Sequence, residues 1–340
     1  MRRRTGLGIV AALALLLAGN ALAQQAADNP GPSFFRIGTG STAGTYYPIG
    51  GLLAQAISAP PGARACAEPG ECGVPGLVAS ALASTGSVAN AEAVQGGALE
   101  SGFVQGDVAA WAYSGGGIWQ DRPKADKLRA IANLYPEAIH LVVRDGAQIE
   151  SVADLRGKRV SLDEPGSGTL VDARAILAGA GLSERDISPL YLTLDEAGAA
   201  MQQGQLDALF FVGGYPAGAI AELASQQPIR ILPIDGALAQ GLMGEHGFLA
   251  RATIPASTYD GQDADVATIS VGAQWITSAD QPEALIHDIT RALWSARSRR
   301  LLDAGHARGR DIAPDRALQG IGIPLHPGAA RYYREAGLLK

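Results

Sequence analysis

The chain is poor in the residues from which metal centres and catalytic sites are usually built. Its 340 residues include only two cysteines and five histidines, and the histidines, at positions 140, 246, 287, 306 and 326, are scattered without ligand spacing. That pattern excludes an ordinary zinc-type site. Charged residues are sparse, at 18 %, and acids outnumber bases by 33 to 27, which disfavours nucleic acid or an anionic lipid surface as a partner. Beyond the amino terminus no segment stays apolar long enough to cross a bilayer. No Gly-Lys-Ser/Thr closes a phosphate loop, and Gly38, Gly40 and Gly44 have the wrong third spacing for a dinucleotide fingerprint.

What is present begins with Arg2, Arg3 and Arg4, an apolar stretch from Leu7 to Ala18, and Ala21-Leu22-Ala23. A short basic segment, a short apolar core and a small-x-small ending are the order of a secretory signal peptide. Residues 1–23 are therefore expected to be removed by cleavage after Ala23, leaving an exported, periplasmic protein. Loss of the three arginines takes 27 basic residues to 24 against 33 acidic ones, a net charge of −9. In an oxidising compartment Cys66 and Cys72, set around a turn-forming Glu68-Pro69-Gly70-Glu71, are expected to form a local disulfide. So small a loop contributes about 2 kcal/mol in the chain-entropy picture, enough to stiffen one region but not to define a fold.

About 310 mature residues suit two lobes of ordinary size better than a single core. Phe34–Ile37, Gly102–Gln105, Ile139–Val143, Arg159–Leu162 and Leu209–Val212 read as short strands buried on both faces. Ile49, Leu52, Leu53, Ala56 and Ile57 repeat at helical spacing behind Pro48. Further helices are expected over 170–180, 195–203, 217–226 and 282–302. The alternation predicts an α/β chain with mainly parallel sheets. The stretches 97–106 and 204–213 echo each other, as two similar lobes would.

The informative residues lie at four strand-to-helix junctions. Gly38 to Tyr47 offers Gly40, Ser41, Thr42, Gly44, Thr45 and Tyr46; the second junction offers Ser87 and Asn90; the third, Ser167, Gly168 and Thr169; the fourth, Gly214 and Tyr215. Backbone N–H groups, hydroxyls and helix N-termini favour a ligand carboxylate or phosphate. Each junction alone reads equally well as a helix capped by Ser or Thr. Four together point to one crevice at the carboxyl ends of the strands. Gln105 and Asp107 follow a strand and face either the crevice or the next helix. His326 reads as structural. No Ser or Thr in these loops has an adjacent His, Lys or Cys, and Asp163-Glu164 and Asp195-Glu196 read as a strand exit and a helix start, so an exported enzyme is the weaker hypothesis. No cofactor is implied.

The motifs Gly38-Thr39-Gly40-Ser41-Thr42-Ala43-Gly44-Thr45-Tyr46-Tyr47-Pro48, Gly86-Ser87-Val88-Ala89-Asn90, Phe103-Val104-Gln105-Gly106-Asp107 and Tyr135-Pro136-Glu137 resemble those of TAXI-type solute receptors of tripartite ATP-independent periplasmic (TRAP) transporters. So does the tail from Pro324 to Gly337. Ser41 and Ala43 stand where glycines are frequent in that family. The resemblance implies a type II periplasmic-binding-protein fold, two α/β lobes joined by a hinge. Lobe 1 would comprise 31–134 with 276–340, and lobe 2 would comprise 135–275. Chain crossings would fall near Leu134 to Ala138 and Thr268 to Thr277. It further implies a monomer that captures a small organic anion such as glutamate or a dicarboxylate, with a TRAP permease as membrane partner. A receptor for an ATP-driven importer is the alternative on the same scaffold.

Overall fold

A computed structural model describes residues 32–64 and 71–340. The expected signal peptide and Cys66 lie outside these residues; Cys72 is disulfide-bonded. In the first half, β1 (Ser33–Gly38) leads to α1 (Tyr46–Ile57), a small pair of β2 (Ser58–Ala59) and β3 (Val74–Pro75), then β4 (Leu77–Leu82), α2 (Ser87–Gln95), β5 (Ser101–Gln105) and α3 (Gly106–Ser114). The long β6 (Leu128–Arg144) carries the chain into a second half. That half contains β7 (Arg159–Ser161), α4 (Gly168–Gly179), β8 (Ser188–Leu190), α5 (Leu194–Gln202), β9 (Ala208–Gly213), α6 (Gly218–Gln226), β10 (Ile229–Leu232), α7 (Gly236–Glu245) and β11 (Ala250–Ile254). β12 (Val266–Ser278) returns to the first half, which α8 (Glu283–Leu293), α9 (Ala296–Gly305) and α10 (Pro327–Glu335) complete.

Ten strands make one mixed sheet in the order β4-β1-β5-β12-β6-β9-β7-β8, with β10 added on β6 and β11 on β12. The two halves share a plan: second strand, first, third, crossing strand, fourth. In the first half this reads β4, β1, β5, β12, β6; in the second, β8, β7, β9, β6, β10. The two echoing stretches end in β5 and β9, the third strand of each half. This is the two-lobed α/β architecture of type II periplasmic binding proteins. The expected parallel pairing holds where β1 meets β4 and β5, and where β7 meets β8 and β9. It fails at the crossing strands, which run antiparallel to their neighbours because each enters its second half from the opposite end.

Alternation along the strands explains why they are apolar throughout: successive residues face opposite sides of the sheet, and both sides are covered. In the first half Phe103, Ile131 and Trp275 enter one core while Val104, Ala130 and Ile276 enter the other. In the second half Leu141 and Phe210 are divided in the same way from Val142 and Phe211. Trp275, fully buried, meets the edges of Phe35 and Phe103 at ring-centroid distances of 6.5 and 6.3 Å. Between the halves Pro136 of β6 stands opposite Gly272 of β12, beside a register shift at Ala273/Gln274. A side chain at position 272 would collide with Asn133 Oδ1.

The helix expected over 282–302 is two helices. The chain turns at Trp294-Ser295, where Ser295 Oγ accepts the Ser298 N–H at 3.2 Å and caps α9. His326 is structural. Its Nδ1 accepts the Gly328 N–H at the start of α10, leaving Nε2 as the donor to the Gln281 carbonyl, both at 3.1 Å. Burial lowers its pKa, consistent with the neutral ring this pairing requires.

Candidate functional site

Three junction loops and the start of the fourth converge where the two halves face each other. They enclose a cavity lined by Gly40, Ser41, Gly44, Thr45 and Tyr46 from the first junction, and Thr85, Gly86 and Ser87 from the second. Asp163, Glu164, Ser167, Gly168 and Thr169 come from the third, with Gln105, Glu137, Leu194, Phe211, Val212 and Gly213 completing the wall. About 60 Å³ is open to the centre of a water molecule, several times the roughly 10–15 Å³ that one water needs. The halves touch around it. Thr45 Oγ1 donates to the Gly214 carbonyl at 2.9 Å, and the Val88 and Ala89 N–H groups donate to the Gly166 carbonyl at 3.0 and 3.1 Å. Gly168 is a glycine for a local reason: a Cβ there would run into the amide oxygen of Gln105.

Many hydroxyls read as ligand contacts are occupied by the protein. Ser167 Oγ accepts the Leu170 N–H and caps α4; Thr169 Oγ1 accepts the Val212 N–H; Ser87 Oγ accepts the Gln105 N–H, each at 3.1 Å. Thr45 precedes α1 but caps nothing with its side chain. Of the other expected site residues, Thr42 is exposed and lines a surface hollow with Pro48 and His306 instead. Asn90 is fully buried and donates to the Thr39 and Phe103 carbonyls at 2.7 and 2.8 Å while accepting from Ser84 Oγ at 2.8 Å. Tyr215 lies outside the cavity wall, with its hydroxyl on the Thr253 carbonyl and its ring beneath Arg308 at 4.0 Å. Gly214 packs between Thr45 and Arg308.

Carboxyl groups dominate the electrostatics. Tyr46 donates its hydroxyl to Glu137 Oε2 at 2.7 Å, yet burial, with Asp107 nearby, still holds Glu137 well above the usual carboxylate range. Burial pushes Asp107 up to about 6 against the pull of backbone N–H groups in the first turn of α3. Neither Asp107 oxygen makes a hydrogen bond of normal geometry. Asp172, close enough to interact with Asp107, is raised well above its ordinary value by burial and then by the Asp107 charge. Asp163 is also pushed up to about 6 by burial, and its backbone is left-handed at φ 72°, a conformation rare outside glycine, asparagine and aspartate. Among the described residues no arginine, lysine or histidine lines the cavity.

The sequence reading missed Glu137, Asp163, Glu164 and Phe211. Glu137 stood inside the Tyr135-Pro136-Glu137 motif, and Asp163-Glu164 directly preceded the third junction. Both acids there read as a strand exit because nothing local to them marks a cavity wall. The chemistry of the wall, acceptors and carboxyls without an adjacent nucleophile and base, is that of binding.

The chain belongs to the NMT1-like family, whose profile matches residues 37–337. It is 42 % identical over 73 residues to a putative aliphatic sulfonates-binding protein of Escherichia coli (strain K12). That match spans 22 % of this chain and 23 % of the relative, about a quarter of the relative's length. Among solved structures it is similar to the alkanesulfonate-binding protein SsuA of Xanthomonas axonopodis pv. citri bound to MOPS, at 20 % identity and a TM-score of 0.49 over 89 % of this chain and 84 % of the other. A substrate-binding protein of an amino acid ABC transporter is similar at 12 % identity and a TM-score of 0.45, over 80 % and 99 % of the two chains. All three are named as binding proteins, the last as that of an ABC transporter. Neither the family nor any of these relatives is described as a TRAP receptor, so the expectation of a TAXI-type receptor, of a TRAP permease as its partner, and of glutamate or a dicarboxylate as its ligand is corrected. The glycine-, serine- and threonine-rich motifs among those behind it lie at the starts of α1 and α2, where the backbone packs closely against the facing half.

Proposed function

We propose that this protein is the periplasmic solute-binding subunit of an ATP-driven importer, closing around one small solute and presenting it to a membrane permease served by an ATPase. The lobes are 31–134 with 276–340, and 135–275, and β6 and β12 act as the hinge between them. The observation that carries the reading is the cavity between the halves, walled by corresponding strand-to-helix junctions of both and bridged by Thr45 and Gly214. The family and the 73-residue stretch shared with a sulfonates-binding protein support it. No helix among the described residues is long and apolar enough to cross a membrane, so the transport step falls to other chains. Spheroplasts of the source cell, washed free of periplasm, test this. Adding the purified protein should restore uptake of the solute that stabilises it, and ATP depletion should abolish that uptake while a proton uncoupler leaves it. Uptake that follows the ion gradient and survives ATP depletion would overturn the importer class.

A further inference from the structure

The charge of the cavity has the wrong sign for the anion that its helix N-termini suggest. Glu137, Asp163 and Glu164 stand in the wall, and Asp107 and Asp172, 0 % and 4 % exposed, lie close enough to act on Glu137. These carboxyls come from α3, from the crossing strand β6, and from the second half, so closure gathers carboxyls with no cation from the described residues among them. The nearby guanidinium of Arg308 is committed to the face of Tyr215 and to Asp311 at 2.9 Å. The N-terminus of α3 already has Asp107 in its first turn, which spends its positive end on the protein's own carboxyl.

A second observation points to the ligand independently of the acids. Gln105, 2 % exposed and in the cavity wall, has an amide oxygen with no hydrogen-bond partner. Buried acceptors are almost always satisfied, so an orphan in a cavity wall marks a missing donor. The wall also supplies the rings of Tyr46 and Phe211, whose faces attract a cation. A metal ion is the poorer occupant, because among the described residues no three His, Cys, Asp or Glu side chains are grouped to hold one.

We propose that the cleft selects small solutes bearing a protonated amine, with Glu137, Asp163 and the Gln105 amide oxygen as acceptors of its N–H groups. This rests on the receptor reading above. An ammonium between the lobes gives these buried carboxyls the counter-charge they lack without it, and so binds the closed state better than the open one, as a ligand that drives closure must.

A thermal-shift panel of amines, zwitterionic amino acids, carboxylates and alkanesulfonates of matched carbon skeleton, run on the wild-type protein at pH 7.5, tests the class. Every solute that raises the melting temperature should carry a protonated amine. Stabilisation by a carboxylate or alkanesulfonate lacking one would overturn the proposal and leave the receptor reading standing; no stabilisation by any solute would count against both. Calorimetry with the strongest stabilising amine should then show affinity falling tenfold or more in Glu137→Gln, which keeps an acceptor for Tyr46, and in Asp163→Asn, which tolerates the left-handed backbone. Unchanged affinity in both variants would overturn the assignment.

Discussion

Thr45 Oγ1 donates to the carbonyl oxygen of Gly214 at 2.9 Å, and this buried bond joins the first half of the molecule to the second. The threonine that the sequence offers as a ligand contact therefore also bridges the two halves. Thr45→Val preserves the side-chain shape and removes one inter-lobe bond worth about 0.5–1.5 kcal/mol. Affinity for a stabilising solute should fall by roughly two- to tenfold, since a change of about 1.4 kcal/mol is tenfold. Thr42→Val, at an exposed position outside the cavity, should leave affinity unchanged. Calorimetric titration of both variants checks the contrast.

Asn90 should matter to folding. Its side chain ties the Thr39 and Phe103 carbonyls and Ser84 together in the interior of the first half. Asn90→Ala strips the Phe103 carbonyl of its amide donor and leaves the Thr39 carbonyl with Ser84 Oγ alone; with about 1–3 kcal/mol for a buried group left unpaired, a loss of roughly 2–4 kcal/mol is expected in a urea melt. An unchanged midpoint would show that water or neighbouring groups replace the amide.

The buried carboxyls predict an unusual pH dependence for the ligand-free protein. Asp107 faces Asp172 from α4 and Glu137 from β6, and Glu137 in turn faces the phenols of Tyr46 and Tyr135; Asp163 faces Glu164 and the hydroxyls of Ser167 and Thr169. Both aspartates have folded-state pKa values of about 6, above the ordinary 3.8. An acid shifted upward by folding binds its proton more tightly in the folded state. Its contribution is complete below about pH 4 and is lost as pH rises through about 6. Asp207, held low by the Arg159 guanidinium, works the other way, its contribution fading as pH falls below the usual carboxylate range. The denaturation midpoint of the wild type should therefore decline between about pH 4 and pH 6, and a double Asp107→Asn, Asp163→Asn variant should decline less over that window. Parallel curves would show that these two groups do not titrate with folding.

His326→Ala removes the cap of α10 and the bond to Gln281. A stability loss of about 1 kcal/mol with unchanged solute affinity is expected. Paired melts and titrations separate the two effects.

How far the sequence reaches is visible in particular residues. Strands β1, β5, β7 and β9 were legible because short apolar runs flanked by glycine or acid leave little alternative, and the Gly97 and Gly204 stretches marked corresponding places in both halves. β4, Leu77-Val78-Ala79-Ser80-Ala81-Leu82, was missed: it lies at the sheet edge, half exposed and alanine-rich, where pattern is weak. Ten of the fifteen expected site residues line the cavity, because helix starts after parallel strands converge in this topology. Glu137 and the pair Asp163-Glu164 do not stand out in the sequence, because they lie on different elements and come together only in the folded wall.

If the cleft closes on a solute, small-angle scattering of the ligand-free and solute-saturated protein reads the closure. A smaller radius of gyration is expected with the stabilising solute than without it, in a sample shown to have started empty. The same radius in both, with binding confirmed by calorimetry, would contradict closure about β6 and β12.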